Sequence, residues 1–293
     1  MKTLAIFNTP HYRLKKKTVS NEIINQITTS FYADVVMTDY PKHATEIAKI
    51  SKNDNYELLI AIGGDGTISE IVNGMDLANQ KLGIIPFGTG NGFARHLGLK
   101  NVEHAMKIIG NSVIKKVDVV KILFKMNNNE FNKRFVATAS FGFVSEVIDL
   151  ANKRFKKMGS MAYIVASIFV IIKQNKFKMS LEFKENIKNE IIANAFLIGN
   201  NKYFGNFCVF PNANLSDGKF DVLAGETTVL SQIFHYISVL TKTHFYKAAP
   251  EYQIDNLRVI VDPPQKLMTD GEIFENVSMI NCEMETDKLN CFA

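Results

Sequence analysis

Leu58-Leu59-Ile60-Ala61-Ile62-Gly63-Gly64-Asp65-Gly66-Thr67 is the stretch on which the fold turns. A short apolar run enters a glycine loop, and an amphipathic segment follows at once. A second stretch has the same layout. Leu82 to Pro86 leads into Phe87-Gly88-Thr89-Gly90-Asn91-Gly92-Phe93-Ala94-Arg95. Glycine loops between strand and helix build anion sites, because helix N-terminal amides point outward and glycine lets an anion approach the backbone. Two such loops in one domain, the first with an aspartate inside it, point to a nucleotide and its metal.

Neither loop has the Walker G-x-x-x-x-G-K-[ST] spacing, and the second is one residue short of G-x-G-x-x-G. Without a P-loop lysine, phosphate charge falls to backbone amides, the Thr67 and Thr89 hydroxyls, the Asn91 amide, a metal and Arg95. Asp65 suits Mg²⁺ on a nucleotide, and it suits a helix N-cap. Arg95 reads equally as a phosphate partner and as a structural ion pair.

Outward from the loops, strands alternate with helices. Strands are expected at 4–8, 33–38, 58–62 and 82–86, and helices at 19–30, 43–51, 68–77 and 101–109. This is an α/β domain, a parallel sheet with helices on both faces, and its ligands sit at the carboxyl ends of the strands. Near Val117 the pattern changes. Strands at 118–124, 134–140, 177–183, 191–198, 220–224 and 256–261 predict a mainly antiparallel β-sandwich, interrupted by helices at 162–173 and 229–245. Turns are expected at Asn127-Asn128-Asn129, Ser216-Asp217-Gly218 and Asp262-Pro263-Pro264. The polar run 125–133 stands apart from an otherwise ordered pattern. The expected domains are 1–118, binding nucleotide, and 119–293, β-rich, with the last dozen residues open to returning to the first domain.

Composition narrows the class. The chain has 293 residues, 46% hydrophobic and 22% charged, with net charge +5. Its longest apolar stretch, 161–172, is short of the roughly 20 residues of a membrane span, and the N-terminal apolar run is short for a signal peptide. Three cysteines without a C-x-x-C pair argue against disulfides and structural zinc and fit a cytoplasmic protein. The basic groups 15–17 and 153–157 read as solvated faces or as contacts with an anionic bilayer. No recognised motif accompanies the charge to support nucleic-acid binding.

In the second half, Thr269-Asp270-Gly271-Glu272 is either a turn or an acidic pair. Asn214-Leu215-Ser216-Asp217-Gly218-Lys219-Phe220-Asp221 is either a turn or an oxygen-rich metal loop.

AIGGDGTISEIVNG (61–74), GIIPFGTGNGFARHLGL (83–99), ASFGFVSEV (139–147), PNANLSDGKFDV (211–222) and TDGE (269–272), in this order, resemble the diacylglycerol kinase catalytic-domain family in its bacterial lipid kinase branch, which also includes sphingosine kinases. The resemblance implies an ATP-dependent lipid kinase working in an inter-domain cleft. Gly64, Asp65, Gly66, Thr67, Gly88, Thr89 and Asn91 match the nucleotide motif, and Thr38 a further nucleotide contact. Asp270 matches the general base and Glu272 its acidic companion. Asp217, with the carbonyls of Asn214 and Lys219, matches a structural Mg²⁺ site. The acceptor is then a lipid hydroxyl, diacylglycerol-like or sphingoid-like, met by peripheral contact with a membrane surface; a homodimer stays open. Gly92 stands where bacterial members usually have aspartate, which keeps a catalytically weak nucleotide-binding protein as an alternative. An NAD kinase-like enzyme is another.

Overall fold

The computed structural model describes residues 1–8, 17–155, 158–159, 161–172, 175–183, 188–241, 243 and 249–293. Its contacts divide the chain into Met1–Val117 with Thr286–Ala293, and Asp118–Glu285.

The first unit runs β1 (Thr3–Asn8), α1 (Lys17–Phe31), β2 (Asp34–Thr38), α2 (His43–Ser51), β3 (Leu58–Gly63), α3 (Asp65–Gly74), β4 (Lys81–Pro86), α4 (Gly92–His96), α5 (Val102–Gly110) and β5 (Ile114–Val117). β2, β1, β3 and β4 lie side by side and parallel. Ile6, Phe7, Leu59, Ile60, Ile62, Ile84 and Ile85 are fully buried. Such continuous apolar runs mark strands covered on both faces, and α2 packs on α3 while α1 packs on α5. The chain's last strand, Leu289–Phe292, enters this sheet between β4, to which it is parallel, and β5, to which it is antiparallel. α3 starts at Asp65, three residues earlier than periodicity predicts, because the glycine loop itself supplies the first helical turn.

The second unit runs β6 (Val120–Met126), β7 (Asn129–Phe135), β8 (Thr138–Gly142), α6 (Phe143–Leu150), a π-helical turn (Ala151–Phe155), α7 (Met161–Val170), β9 (Phe177–Phe183), β10 (Lys188–Ala193), β11 (Ala195–Gly199), β12 (Tyr203–Phe204), β13 (Phe207–Cys208), β14 (Phe220–Gly225), α8 (Val229–Leu240), β15 (Glu251–Ile254), β16 (Asn256–Thr269) and β17 (Glu272–Met284). Among the described residues, ten of its strands form one antiparallel sheet that branches at β16. Phe124, Phe135, Phe141, Phe196, Phe220 and Val259, from six different strands, share one buried core, so the sheet folds over on itself as a sandwich does.

Several expectations change here. The polar run 125–133 is the turn and arms of a β6–β7 hairpin, with Asn127 and Asn128 both at positive φ, as a two-residue hairpin turn requires. The predicted turn at Asp262-Pro263-Pro264 lies inside β16 as a register irregularity between Ile260 and Gln265. Proline cannot donate to a ladder. Across this break β16 changes partner, pairing β9 through residues 257–262 and β8 through Met268 and Thr269. The strand at 272–284 and the helix at 143–150 were not predicted. Helix 229–245 is α8 as far as Leu240; 242 and 244–248 lie outside the described residues. So do Lys15, Lys16, Lys156 and Lys157. Among the described residues no helix is long and apolar enough to cross a membrane.

Candidate functional site

In the first unit the parallel strands bring their polar ends to one edge. The register sets Asn8, the end of β1, beside Thr38, the end of β2, and Gly63, the end of β3, beside Pro86, the end of β4. Asn8 Nδ2 donates to Thr67 Oγ1 at 2.8 Å, tying β1 to the first turn of α3. Thr38 and Thr67 are buried.

The two glycine loops lie against each other. Phe87 N–H donates to the Gly63 carbonyl at 2.8 Å. A side chain on Gly88 would overlap the Gly64 backbone, so the loops approach this closely only with glycine at the crossing. Asn91, in the left-handed conformation at φ 51°, closes the second loop. Its Oδ1 accepts from Gly88 N and its Nδ2 donates to Gly88 O, both at 3.0 Å. Arg95 Nη2 donates to the Gly90 carbonyl at 3.1 Å, so the guanidinium braces the loop.

Asp65 is the joint between the loops. Its Oδ2 accepts from Gly92 N at 2.9 Å and its Oδ1 from Phe93 N at 3.0 Å. The first residue of α3 thus caps the N-terminus of α4, where Asn91 makes no side-chain cap. Burial raises the Asp65 carboxyl above the ordinary aspartate value, opposed by the Phe93 and Gly92 N–H groups and by the Arg95 charge. Gly92 serves here through its N–H. The N-cap of α3, Gly64, has no side chain with which to cap it. Gly66, Gly88 and Thr89 are exposed, and the space where a Gly66 Cβ would stand is open. Uncapped helix amides, exposed glycine backbone and the Thr89 hydroxyl form a cradle of the kind that binds phosphate. Asn8 was missed as a site residue; its signal was a polar side chain ending a buried strand.

In the second unit, Asp270 and Gly271 are the two-residue turn of the β16–β17 hairpin, both at positive φ, 46° and 90°, with Thr269 opposite Glu272. Asp-Gly is favoured in this turn. The turn aims the Asp270 carboxylate at a neighbouring strand start: Oδ2 accepts from Val136 N at 3.0 Å, and Oδ1 from Ala137 N at 3.0 Å and Thr138 N at 2.9 Å. Three backbone dipoles meet its charge and fix its orientation. Glu272 is ion-paired with Lys133 of β7, whose ammonium also lies 5.5 Å from the centre of the Phe274 ring.

The 214–219 loop is braced by its own side chains and by Asp118. Asn214 Oδ1 accepts from both the N–H and the hydroxyl of Ser216, and Asp217 Oδ1 accepts from Lys219 N, each at 3.1 Å. Buried Asp118 pins the loop, its Oδ2 accepting from Gly218 N at 2.7 Å and its N–H donating to Leu215 O at 2.6 Å. Asp217 is exposed, and its Oδ1 takes part in the turn. Among the described residues no three His, Cys, Asp or Glu side chains gather to hold a metal ion. These bonds make the loop an Asx-stabilised turn, one of the two readings its sequence offers.

Residues 2–122 match the diacylglycerol kinase catalytic domain. The chain is 31% identical over 218 residues to the diacylglycerol kinase of Staphylococcus aureus (strain Newman), an alignment that takes in 73% of this chain and 65% of that protein. It thus spans just under two thirds of the curated relative's length. Its fold is similar to the crystal structure of a diacylglycerol kinase from Bacillus anthracis, with TM-score 0.79 and 24% identity over 99% of this chain and 96% of that one. It is more distantly similar to an NAD kinase from Archaeoglobus fulgidus in complex with ATP, with TM-score 0.56 and 12% identity over 100% and 94% of the two chains.

Proposed function

From the match of residues 2–122 to the diacylglycerol kinase catalytic domain and the 31% identity to a diacylglycerol kinase, we propose that the chain belongs to that family and is an ATP-dependent lipid kinase, moving the γ-phosphoryl group of ATP to a lipid hydroxyl. The observation that carries this reading is the paired glycine loops, locked together by Asp65, with open backbone at Gly66 and exposed Gly88 and Thr89. In this reading Thr38, Gly64, Gly66, Thr67, Gly88, Thr89 and Asn91 surround the nucleotide phosphates, and Asp65 and Arg95 hold the loops in shape for them. Mg²⁺ arrives with ATP and neutralises phosphate charge.

Phosphoryl transfer passes through a loose transition state, so positioning and charge stabilisation supply most of the catalysis. Asp270 is assigned to orient the acceptor hydroxyl and to take its proton late in transfer. Its fixed orientation on three amides suits that role, and Glu272 with Lys133 supports the same hairpin. The acceptor lipid brings the protein to a membrane surface.

The test is transfer of labelled phosphate from ATP·Mg²⁺ to lipids in mixed micelles, beside NAD and a control without acceptor. A labelled, solvent-extractable lipid is expected. Labelled NADP, or no product from a protein that binds ATP, would overturn the reading.

Two glycine substitutions separate fold from function. Gly88→Ala drives a methyl into the Gly64 backbone and is expected to cost about 1–3 kcal/mol of stability, seen in thermal unfolding. Gly66→Ala meets open space in a helical turn and is expected to leave the melting temperature unchanged or slightly higher, while weakening ATP binding at least tenfold by calorimetry. Unchanged ATP affinity in Gly66→Ala would remove this position from the phosphate cradle.

A further inference from the structure

Helix α8 is built inside out. Its buried side chains, Gln232 and Ser238, are polar. The side chains it exposes are apolar: Leu230, Ile233, Phe234 and Ile237, at the three- to four-residue spacing of one helix face. Leu230 is 62% exposed, and Ser238 is fully buried. Hydrogen bonds tie down the polar side. Gln232 Nε2 donates to Thr227 Oγ1 at 2.5 Å, and that hydroxyl donates to Asn194 Oδ1 at 2.8 Å.

Helix α7 shows the same inversion. It has no charged residue, and it buries Ala162 and Ala166 against Val147 and Ala151. Its larger residues Met161, Ile168 and Phe169 are exposed, as is Ile172 just beyond its end. A helix apolar all round is ordinarily covered on every side. The segment after α7 meets the segment before α8 at the Lys176–Glu226 ion pair. Phe169 and Asn194 also line one cavity of about 450 Å³, so Phe169 belongs both to the exposed face and to the cavity wall.

Charge points to what covers this face. In sequence, residues 151–178 hold seven lysines and arginines and no acid, and residues 227–250 hold two lysines and no acid. These stretches carry nine of the chain's 34 basic residues and none of its 29 acidic ones, so the rest of a chain of net charge +5 is net negative. Arg154, Lys176 and Lys178 are exposed. Acids of neighbouring segments offset part of this charge: Asp149 and Glu275 pair with Lys153, Glu226 with Lys176, and half-exposed Glu146 with Lys266. Lys153, Lys176, Glu226 and Glu275 are themselves exposed, and exposed pairs are weak, so an anionic surface competes with them. An apolar face with basic flanks matches a bilayer carrying anionic lipid, whose phosphates meet the cations as the apolar side chains enter the acyl boundary. A second copy of the chain would set the same cations against one another. Protein hot spots are enriched in Trp, Tyr and Arg, whereas this face presents Leu, Ile and Phe.

We infer that the exposed faces of α7 and α8 dock on an anionic bilayer, inserting Ile168, Ile172, Leu230 and Ile233 into its acyl boundary and setting Phe169 between the bilayer and the cavity. The inference rests on the lipid kinase reading for its purpose, and it names the surface that reading leaves open. The polar anchors Gln232 and Ser238 hold α8 with its apolar face outward, which is the orientation docking requires.

The test is co-sedimentation of the intact chain with vesicles of phosphatidylcholine, alone or mixed with phosphatidylglycerol, without ATP or acceptor lipid. Binding to the mixed vesicles is expected to be at least about tenfold tighter than to phosphatidylcholine alone. Leu230→Ser with Ile233→Ser is expected to weaken it at least about tenfold, and so, separately, is Ile168→Ser with Ile172→Ser. Leu230→Ile with Ile233→Leu is expected to preserve it. The four side chains are exposed, so both serine pairs are expected to keep the native melting temperature. Each pair tests the face even should the other fail to fold. Equal affinity for the two vesicle types, or native-like binding by both serine pairs, would overturn the inference. So would a dimer in sedimentation equilibrium that the serine pairs dissociate. Absence of binding to either vesicle would overturn it too and leave the face to a protein partner. Vesicle binding as expected, without any phosphorylated lipid in the micelle assay, would retain the inference and count against the kinase reading alone.

Discussion

Asp65→Ala is expected to weaken ATP binding by at least a hundredfold while costing comparatively little stability. The substitution releases the N–H groups of Gly92 and Phe93, which the carboxylate now holds at 2.9 and 3.0 Å. Unmade hydrogen bonds cost about 1–3 kcal/mol per buried group. A second change works in the opposite direction, because burial holds the Asp65 carboxyl above its ordinary value, so its ionised form carries a desolvation cost in the folded protein. Removing it relieves that cost. What is lost without compensation is the joint between two loops whose spacing forms the proposed phosphate cradle. Calorimetry with a non-hydrolysable ATP analogue measures the first effect and thermal unfolding the second; native-like affinity in Asp65→Ala would sink the role given to this residue.

The sign of the pH dependence follows from the same burial. A carboxyl whose pKa is raised by folding contributes stability that is fully present below its unfolded pKa and is lost as pH rises through the folded one. Asp65→Asn abolishes that titration. Unfolding free energies of the native chain and Asp65→Asn, compared from neutral pH down into the acid range, are expected to shift progressively in favour of the native chain. A difference independent of pH, or one of opposite sign, would show that the N–H groups and Arg95 outweigh burial.

Asp270→Asn is expected to reduce phosphate transfer by about a hundred- to ten-thousandfold, the range for losing a positioned acid–base group, with ATP affinity intact. The glycine loops proposed to hold ATP belong to the other unit, so ATP affinity separates loss of transfer from loss of nucleotide binding. The substitution has a structural cost too. The carboxylate accepts from Val136, Ala137 and Thr138 through both oxygens, and an asparagine must turn its NH₂ toward at least one N–H. About 1–3 kcal/mol of stability goes with that mismatch. Transfer is therefore measured below the variant's own melting transition. Undiminished transfer there would remove Asp270 from the chemistry and leave it as the hairpin turn.

These predictions differ in how much of their basis was legible in the chain. The glycine loops were, since an apolar run into Gly-Gly-Asp-Gly-Thr has few structural outcomes and local sterics dictate most of them. The parallel sheet followed from alternating periodicity, and the antiparallel half from its short strands and turns. Local pattern also set limits. The two prolines at 263 and 264 carry a turn signal, yet the ladder tolerates them as an irregularity where β16 changes partners. The polar run 125–133 lacks an apolar pattern but pairs along β6 and β7. A strand's neighbours decide its pairing, and those neighbours are distant in sequence.

The sequence by itself determined the residue types at the paired glycine loops and the Asp-Gly turn that carries Asp270, because glycine's backbone freedom and short polar side chains act over a few residues. Only the tertiary structure decided what the charges do. Asp65 caps a helix 27 residues away, Asp270 holds amides more than 130 residues back, Asp118 pins the 214–219 loop, and Lys266 pairs with Glu146. Charge pairing depends on distance and burial, and both arise only when separate segments pack together.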